Sequence, residues 1–590
     1  MITLSEFKIL IQLLENSIQT QRNLAESVCL SLGTVNSVIL KLKQRGLLDS
    51  RNKVTGEGLK HLEPYRVNNA VILAAGMSTR FAPLSYEKPK GLLNVKGEVL
   101  IERQIKQLHS VGIKDITLVV GYMKEKMFYL EEKYGVEIIV NEDYYKYNNT
   151  SSMILVEDRL SNTYICSSDN YFVKNPFEKY VYKGYYSAVY EEGYTDEYCI
   201  VYDKKDRIID VKVGGKNSWI MLGHVYFDRE FSKKFSSILK DEYNKQAVRD
   251  GLWEDLYIKF IAELNLFIRK YDKNIIREFD SLDELREFDE EYLKNTNSKI
   301  LSNIAKVLKC KEEDIEQISP IKTGLTNTSF KFSVLGKEYV YRHPGKGTEE
   351  YINRNSEAAS MEIAKKLGID NTYIYMDEKG WKISHYIEGA RNLDYHNNVD
   401  VEQALKYLKL LHSSGEKTEY KFDIWSQIDS FLHLLSEENR DDFEDMDELL
   451  NLIDKLKVEL SNDQEYCLCH CDSYDPNFLI DRKNIMYLID WEYSGMAHPA
   501  VDLGTFIACS DYNIEEAKEI IKKYLGEEYS IDKVKTYLGY TAVISFYWFL
   551  WALHQDSLGK NVGKYLYIWY KYTKIYAKEA LKFKGVNFNE

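Results

Sequence analysis

Cysteine is scarce in this sequence, with eight residues among 590. That density is too low for a scaffold held together by disulfides. No run of about twenty apolar residues occurs, so we expect no membrane-spanning segment and no membrane partner. The first stretch, residues 1–14, carries Glu6 and Lys8 and lacks the pattern of a signal peptide. We therefore expect a cytoplasmic protein.

An excess of positive charge is also absent. The formal net charge is −14 at pH 7, which argues against a protein that coats nucleic acid. The hydrophobic and charged fractions, 44% and 29%, are typical of a globular protein, and 590 residues exceed one ordinary core. Internal repeats and low-complexity tracts are missing as well. We predict a multidomain α/β and α+β protein with domains at residues 1–66, 67–295 and 296–590.

The first predicted domain has helical hydrophobic periodicity followed by a short wing. Residues 30–47 have a helical apolar face, with Thr34 placed to cap a helix and Gly46 placed to end it. This pattern resembles the winged helix-turn-helix of bacterial transcription regulators, with the wing at residues 47–55. Nine Lys or Arg against six Asp or Glu in this segment make DNA a candidate partner. A module that has lost DNA binding fits equally well.

The second predicted domain opens with a strand, a polar loop, a helix and another strand, which predicts a Rossmann-like α/β sheet. Small residues follow the first strand and let backbone N–H groups approach a nucleotide. The predicted nucleotide-binding residues of this loop are Leu73, Ala74, Ala75 and Gly76. Arg80 and Lys90 then bring positive charge to a triphosphate, so we predict that both act in catalysis.

This stretch resembles the nucleotidyltransferases that activate sugar phosphates, and most closely the bacterial CTP:phosphocholine cytidylyltransferases. The resemblance implies that Asp169 and Glu254 hold Mg²⁺, with Asp255 as an alternative to Glu254. It also implies that Tyr198 belongs to an aromatic box around a quaternary ammonium group. Leu252 stands where the family usually has a ring, and Met77 where it usually has glycine.

The third predicted domain carries the pattern His-x-Asp-x4-Asn, followed thirteen residues later by Ile-Asp. A kinase needs one carboxylate to accept the hydroxyl proton, and an Asn and an Asp to hold magnesium. Asp472, Asn477 and Asp490 supply these groups in that order. A β-rich start and a helical remainder match the lobe order of protein-kinase-like folds.

The third domain resembles the choline, ethanolamine and aminoglycoside kinase superfamily. The resemblance implies that Thr326 and Asn327 belong to a turn that covers the nucleotide phosphates. It also implies that Arg342 binds the nucleotide and pairs with Glu357 from a following helix. A surface Arg–Glu pair without a nucleotide role is the alternative.

Aromatic residues near the C-terminus are candidates for recognition of the head group. Trp548 and Trp551 are three apart, on one face of a helix, and choline kinases carry such a pair in a cation cage. Trp491 and Tyr493, close to the magnesium motif, are further candidates for the substrate site. A merely buried aromatic helix is the alternative interpretation.

Cys467, Cys469 and Cys471, with His470 between them, form the densest group of metal-ligating side chains. Alternate residues of a strand point the same way, which permits a metal site. The spacing matches no common zinc pattern, and a buried strand explains the same residues.

Together the two resemblances imply an enzyme that phosphorylates choline with ATP and couples phosphocholine to CTP, with Mg²⁺ as cofactor. Ethanolamine or a related amino alcohol is an alternative head group. A sugar-phosphate nucleotidyltransferase fused to a small-molecule kinase is a second alternative. A regulator that senses choline metabolites is the third.

Overall fold

The computed structural model describes residues 2–15, 20–294, 296–321, 327–345, 352–435, 443–461, 465–557 and 562–582. The chain divides into two compact units, Met1–Lys306 with Lys311–Glu313, and Val307–Cys310 with Asp314–Glu590. The first unit holds the segments predicted as winged helix and nucleotidyltransferase, and the second holds nearly all of the predicted kinase. The bounds of the three predicted domains stay predictions.

The winged helix-turn-helix fold is confirmed at the N-terminus. Its helices are α1 (Leu4–Glu15), α2 (Gln21–Ser27), α3 (Leu32–Gln44) and α4 (Gly56–Leu62). Leu48 and Val54 form an antiparallel bridge, which places the wing where residues 47–55 predict it. Gly46 has a φ of +70°, a left-handed conformation that ends α3 as expected.

Helix α3 begins earlier than predicted. Its cap is Ser31, whose Oγ accepts a hydrogen bond from the backbone N–H of Thr34 at 3.1 Å. Thr34 therefore lies in the first turn, and its assignment as the cap was wrong. An N-cap side chain bonds the N–H two or three residues ahead, so the Ser-x-x-Thr spacing selects the serine.

An aromatic cluster joins the winged helix to the rest of the first unit. Tyr65 and Tyr182 stack with ring centroids 5.3 Å apart and planes 8° from parallel. Phe7 of α1 lies 5.3 Å from each of them. The backbone N–H of Val181 donates to the carbonyl of Tyr65 at 2.8 Å. The winged helix therefore shares a packed surface with the segment that carries Tyr182.

A mixed seven-stranded sheet forms the centre of the first unit, in the order β10-β8-β9-β6-β1-β4-β5. The strands of this unit are β1 (Asn69–Ala74), β2 (Asn94–Val95), β3 (Glu98–Val99), β4 (Ile116–Val120), β5 (Glu137–Val140), β6 (Thr163–Ser167), β7 (Tyr171–Phe172), β8 (Tyr185–Tyr202), β9 (Ile208–Phe227), β10 (Phe267–Tyr271) and β11 (Ile276–Arg277). Strand β1 is parallel to β4 and β6, as predicted, whereas β9 runs antiparallel to β6 and β8. The carboxyl ends of β1, β4 and β6 meet at one edge, where ligands bind in such sheets.

Helices cover this sheet: α5 (Leu84–Glu87), α6 (Leu100–Ser110), α7 (Tyr129–Tyr134), α8 (Thr150–Ile154), α9 (Arg229–Glu242), α10 (Gln246–Asp250), α11 (Trp253–Lys259), α12 (Leu282–Phe288) and α13 (Glu291–Lys294). In sequence, α14 (Lys299–Leu308) follows at the boundary between the units. The faces of β1 are buried in two separate apolar clusters, since Ile72 belongs to one and Val71 to the other.

The second unit begins with an antiparallel five-stranded sheet in the order β12-β13-β14-β16-β15. The strands of this unit are β12 (Ile315–Ile321), β13 (Asn327–Val334), β14 (Lys337–Pro344), β15 (Tyr373–Met376), β16 (Lys382–His385), β17 (Arg391–Asn392), β18 (Cys467–Cys469), β19 (Phe478–Ile480), β20 (Met486–Leu488) and β21 (Gly495–Ala497). Its helices are α15 (Arg354–Lys366), α16 (Asn398–His412), α17 (Ile424–Leu434), α18 (Met446–Leu460), α19 (Ala500–Cys509), α20 (Ile514–Leu525), α21 (Ile531–Ser557) and α22 (Tyr565–Lys582). The predicted order, a β-rich part followed by a helical part, is confirmed.

Among the described residues, no single helix has the length and apolarity needed to cross a bilayer. Helices α2 and α3 meet that criterion only as a pair, and they are bent by 106° relative to each other.

Candidate active sites

A cavity of about 720 Å³ opens at the carboxyl edge of the first unit's sheet. Leu73 near the end of β1 lines it, and so do Ala75 and Gly76, which follow the strand. The loop is fixed to its neighbours because Ser168 N donates to the Leu73 carbonyl and Tyr122 N donates to the Ala75 carbonyl, each at 3.0 Å. Ala74 is buried and is not part of the lining that the structure describes. The predicted nucleotide loop therefore borders a cavity of ligand size.

Lys90 is buried, with 6% of its side chain exposed, and its Nζ lies 2.9 Å from Asp169 Oδ2. Burial acts to lower the pKa of Lys90, but Asp169 and Glu278 raise it above its usual value. Burial acts to raise the pKa of Asp169, but Lys90 and a hydrogen bond from Ser167 lower it. Both groups are therefore charged at neutral pH. The structure brings the predicted catalytic lysine and the predicted metal ligand into direct contact.

Glu278 is a member of this cluster that the sequence analysis missed. Its Oε1 lies 3.9 Å from Lys90 Nζ, and its other oxygen accepts from the Asn170 amide at 3.1 Å. Burial, with Asp169 adding to it, raises the pKa of Glu278 to about 8. It lies more than a hundred residues from Asp169 in sequence, beyond the motif, so no local spacing marks it.

Arg80 lies at the surface, with 79% of its side chain exposed and its Nη2 3.6 Å from Asp280 Oδ1. Met77, which stands where the family usually has glycine, is exposed and itself lines the cavity. A catalytic role for Arg80 stays a prediction.

Glu254 lines the cavity, whereas Asp255 is not part of the lining that the structure describes. Its carboxylate accepts from the Tyr186 hydroxyl at 3.2 Å and from the Asn149 amide at 3.3 Å. Burial raises the pKa of Glu254 to about 7. Asp255 instead accepts from the backbone N–H of Leu252 at the start of α11 and from the Tyr198 hydroxyl at 2.6 Å.

Aromatic rings surround the part of the cavity that holds Glu254. Tyr198 lines it, as predicted, and is half-buried. Trp253 and Tyr186 line it too and stack on each other with centroids 5.9 Å apart. These two rings were not predicted, and Leu252 lines the cavity beside them. The arrangement combines ring faces with carboxylates, which suits an organic cation.

The second unit holds the predicted kinase motif on the loop after β18. The Asn477 amide donates to Asp472 Oδ2 at 2.9 Å and to the Asp472 carbonyl at 2.8 Å. Burial, with Asp490 adding to it, raises the pKa of Asp472 well above its usual value. Asp490 has a φ of +67°, a strained conformation for a residue other than glycine. The predicted base and both predicted magnesium ligands therefore lie at one site.

Asp502 of α19 binds the backbone of this loop through two hydrogen bonds. It accepts the backbone N–H of His470 at 2.9 Å and of Cys471 at 2.6 Å. Cys471 itself has a φ of +64°. Two charge-assisted hydrogen bonds thus hold the backbone that leads into Asp472.

The predicted pairing of Arg342 with Glu357 is confirmed, and it is buried rather than superficial. Arg342 Nη1 lies 2.6 Å from Glu357 Oε1, with 5% and 0% of the side chains exposed. Arg342 also contacts Glu492 at 2.7 Å and Asp490 at 3.1 Å. Burial acts to raise the pKa of Glu357, but Arg342 and Lys382 lower it to about 2. The carboxylate is fully ionised.

Three members of this network were not assigned from the sequence. Lys382 Nζ lies 3.3 Å from both Glu357 and Asp490, and Arg354 Nη1 lies 2.9 Å from Glu357. Glu492, two residues after Asp490, accepts from Arg342, Arg354 and the Asn327 amide. The carboxylates of Glu357, Asp490 and Glu492 lie close enough together to bind one metal ion. In this structure the side chains of Arg342, Arg354 and Lys382 neutralise them.

Asn327, predicted to bind nucleotide, begins β13 and joins the network through Glu492. Thr326, predicted beside it, lies outside the described residues.

Trp548 and Trp551 lie in α21 as one cluster with Tyr493. The Trp548 ring is 5.7 Å from Trp551, 5.4 Å from Tyr493 and 5.9 Å from Trp569, and all three contacts join residues of the second unit. Trp569 of α22 was not predicted. Trp548 and Trp551 are 5% and 7% exposed, so only a small part of each side chain is open to solvent.

Trp491 was predicted to contact substrate, and that role stays a prediction. Its ring is fully buried and its Nε1–H donates to the Leu488 carbonyl at 3.0 Å. It packs edge-on against His470 with centroids 4.6 Å apart. An indole in this position supports the catalytic loop, whereas Tyr493, two residues on, reaches the tryptophan cluster.

Comparisons with known proteins match three separate parts of the chain. Residues 3–49 match the model of the winged helix-turn-helix DNA-binding family, residues 70–184 the MobA-like NTP transferase domain, and residues 317–534 the phosphotransferase enzyme family.

Curated relatives match single parts of the chain over nearly their own full length. A choline-phosphate cytidylyltransferase of Streptococcus pneumoniae is 38% identical over 39% of this chain and 99% of its own length. A 2-aminoethylphosphonate cytidylyltransferase of Lancefieldella rimae is 34% identical over 38% of this chain and 93% of its own length. The solved structure of the choline kinase LicA from Streptococcus pneumoniae is 26% identical, covers 47% of this chain and 98% of its own, and gives a TM-score of 0.42.

Proposed function

Because the chain belongs to the choline-phosphate cytidylyltransferase family, with a winged helix-turn-helix domain before that part and a choline-kinase-like domain after it, we propose that it makes CDP-choline in two steps. The second unit phosphorylates choline with ATP. The first unit transfers a cytidylyl group from CTP to the phosphocholine so formed and releases pyrophosphate.

The observation that carries this proposal is the presence of both sites on one chain. A kinase acting on an alcohol makes a phosphate ester, with a P–O–C linkage. Such an ester is the substrate of a choline-phosphate cytidylyltransferase. 2-Aminoethylphosphonate, the substrate named for the second relative, has a P–C bond that phosphoryl transfer to a hydroxyl does not form. The kinase therefore favours a phosphate ester as the substrate of the first unit.

In the kinase step, Asp472 accepts the proton of the choline hydroxyl as its oxygen attacks the γ-phosphorus and ADP leaves. The Asn477 amide fixes the orientation of that carboxylate through Oδ2. Arg342, held by Glu357 and Glu492, supplies positive charge for the nucleotide phosphates.

Mg²⁺ fits the donors that the second unit offers, which are the Asp490 carboxylate and the Asn477 amide oxygen. The Asn477 amide nitrogen is committed to Asp472, so its oxygen is the atom left for a cation. In the first unit Asp169 and Glu254 offer carboxylate oxygens. When bound, Mg²⁺ neutralises charge on the triphosphates.

In the cytidylyl step a phosphate oxygen of phosphocholine attacks the α-phosphorus of CTP, and pyrophosphate leaves. No protein nucleophile is needed, so the first unit acts by positioning and by charge. Lys90 brings a buried positive charge beside Asp169. Tyr198, Trp253 and Tyr186 present rings to the trimethylammonium group, at roughly 0.5–2 kcal/mol for each good contact.

The test is incubation of the full chain with choline, ATP, CTP and Mg²⁺, with products identified by mass spectrometry. CDP-choline formed only when both nucleotides are present supports the proposal. Parallel reactions replace choline with ethanolamine, or omit ATP and supply 2-aminoethylphosphonate with CTP. A faster reaction in either parallel would reassign the head group, and no product in any reaction would sink the proposal.

A further inference from the structure

A second group of metal-ligating side chains lies in the second unit behind the catalytic loop. It consists of His412 at the end of α16 and of Cys467 and Cys469 on β18, whose candidate ligand atoms all lie within 4.8 Å of one another. The sequence suggested His470 as the histidine of this cluster. The structure excludes it, since His470 Nε2 is hydrogen-bonded to the Ile489 carbonyl at 2.9 Å and its Nδ1 accepts from Asp472 N.

The spacing of the two thiols matches that of ligands on one ion. Cys467 Sγ and Cys469 Sγ are 3.6 Å apart, because alternate residues of a strand point the same way. Two sulfurs bound to tetrahedral zinc at about 2.3 Å lie roughly 3.8 Å from each other. The pair therefore needs only a small adjustment to hold a tetrahedral cation.

His412 is oriented as metal-bound histidines commonly are. Its Nε2 lies 2.8 Å from Asp502 Oδ2. The same carboxylate accepts the backbone N–H groups of His470 and Cys471. A carboxylate that accepts from the imidazole places the imidazole proton on Nε2 and leaves the Nδ1 lone pair for a ligand.

In this structure His412 Nδ1 lies 2.6 Å from the Tyr524 hydroxyl oxygen. Tyr524 is buried, as is Cys469, whereas Cys467 is half-buried and leaves a path from solvent. The hydroxyl oxygen of Tyr524 is therefore close enough to His412 to be a candidate fourth ligand.

We propose that His412, Cys467 and Cys469 form a binding site for a soft divalent cation such as Zn²⁺, with the Tyr524 oxygen or a water as fourth ligand. Binding converts two thiols to thiolates and releases two protons, so it strengthens as pH rises. Mg²⁺, which prefers oxygen ligands, does not compete. Because Asp502 also holds the backbone of the loop before Asp472, the site is tied to the kinase centre through one carboxylate.

The test uses the reduced full-length protein in excess Mg²⁺, titrated with Co²⁺ as a spectroscopic probe. One equivalent should give sulfur-to-cobalt charge-transfer absorption with the visible bands of tetrahedral Co²⁺, and one equivalent of Zn²⁺ should remove them. Cys467→Ser should weaken Co²⁺ binding at least tenfold and reduce the charge-transfer band.

Cys29→Ser is the matched control, because Cys29 is the exposed thiol of the first unit. Its variant should bind Co²⁺ as the unmodified protein does. Cys467 is half-buried and serine is nearly isosteric, so this variant should fold, which circular dichroism checks. Octahedral cobalt spectra, or a charge-transfer band that Cys467→Ser leaves unchanged, would overturn the proposal.

Discussion

Lys90 Nζ lies 2.9 Å from Asp169 Oδ2, and the two side chains are 6% and 17% exposed. In a site this well shielded, each charge depends on the other, and removal of one leaves the other uncompensated. The contact joins the residue predicted to act on the triphosphate to the residue predicted to hold the metal.

Lys90→Ala should therefore lower cytidylyl transfer from CTP to supplied phosphocholine by at least about a hundredfold, a loss typical of a removed electrostatic contact. Phosphorylation of choline by ATP should be unchanged, because the kinase residues belong to the other unit. Lys106→Ala, which removes an exposed lysine on α6, is the control. Loss of both reactions in a folded protein would contradict independent sites.

Asp472→Asn should slow the kinase reaction and leave cytidylyl transfer unchanged. The amide cannot accept the hydroxyl proton, so the kinase rate should fall at least about 10²-fold while supplied phosphocholine is still converted to CDP-choline. Asp511→Asn, at an exposed position before α20, is the matched control. A normal kinase rate in Asp472→Asn would remove this residue from the role of base.

Glu254→Gln should change the pH dependence of stability. Burial raises the pKa of Glu254 to about 7 from its usual 4.5 in the protein without ligands. A carboxyl whose folded pKa is raised contributes stability below its unfolded pKa, and that contribution is lost as pH rises through the folded pKa. Between about pH 5 and pH 8 the free energy of unfolding of the unmodified protein should fall by roughly 1–3 kcal/mol. The glutamine variant should not show this fall.

Thermal unfolding of both proteins at several pH values measures this difference, since all other titrating groups are common to them. The variant should be the more stable protein at the alkaline end. A gap in Tm that stays constant with pH would show that Glu254 keeps its ordinary pKa.

Trp548→Phe should raise KM for choline more than for ethanolamine. A trimethylammonium group has no N–H to donate, so its recognition depends on ring faces, and indole is the best of these. Ethanolamine has three N–H donors and depends less on the ring. Trp425→Phe, which alters a partly buried tryptophan of α17, is the control. Equal changes for both substrates would place Trp548 in the core alone.

Removal of residues 1–66 should leave both activities but lower the Tm of the first unit. The deletion removes Tyr65 and Phe7 from Tyr182, and it exposes a ring that is now stacked. An aromatic pair of this kind is worth about 0.5–1.5 kcal/mol beyond its buried area. Steady-state rates check that both activities remain, and calorimetry checks the fall in Tm. Loss of cytidylyl transfer in the shortened protein would show that the winged helix is needed for this reaction.

The intact winged helix is tested for DNA binding by a gel shift with the gene's own promoter region. Thr34 and Ser37 are exposed at the start of α3, where a recognition helix meets base edges, and Lys41 follows on the same helix. Binding should weaken steeply with salt because each neutralised phosphate releases counterions. No shift at low salt would favour a purely structural module.

Local sequence determined much of this molecule. The glycine-ended helix and the wing at residues 47–55 follow from nearby side chains, and so does the strand that leads into Leu73–Gly76. The kinase motif could also be read directly, because Asp472 and Asn477 are only five residues apart and must share one loop. The contact of Arg342 with Glu357 was predicted from a resemblance, and the structure adds that it is buried.

Tertiary structure alone decided the rest. Glu278, directly after β11, and Lys382 of β16 join their sites from other parts of the sequence. His412 meets Cys467 only because α16 packs beside β18. The same pattern of aromatic residues permitted Trp491 to be exposed or buried, and the fold buried it. Sequence spacing constrains residues one or two turns apart, whereas burial, pKa and long-range ion pairs depend on which elements pack together.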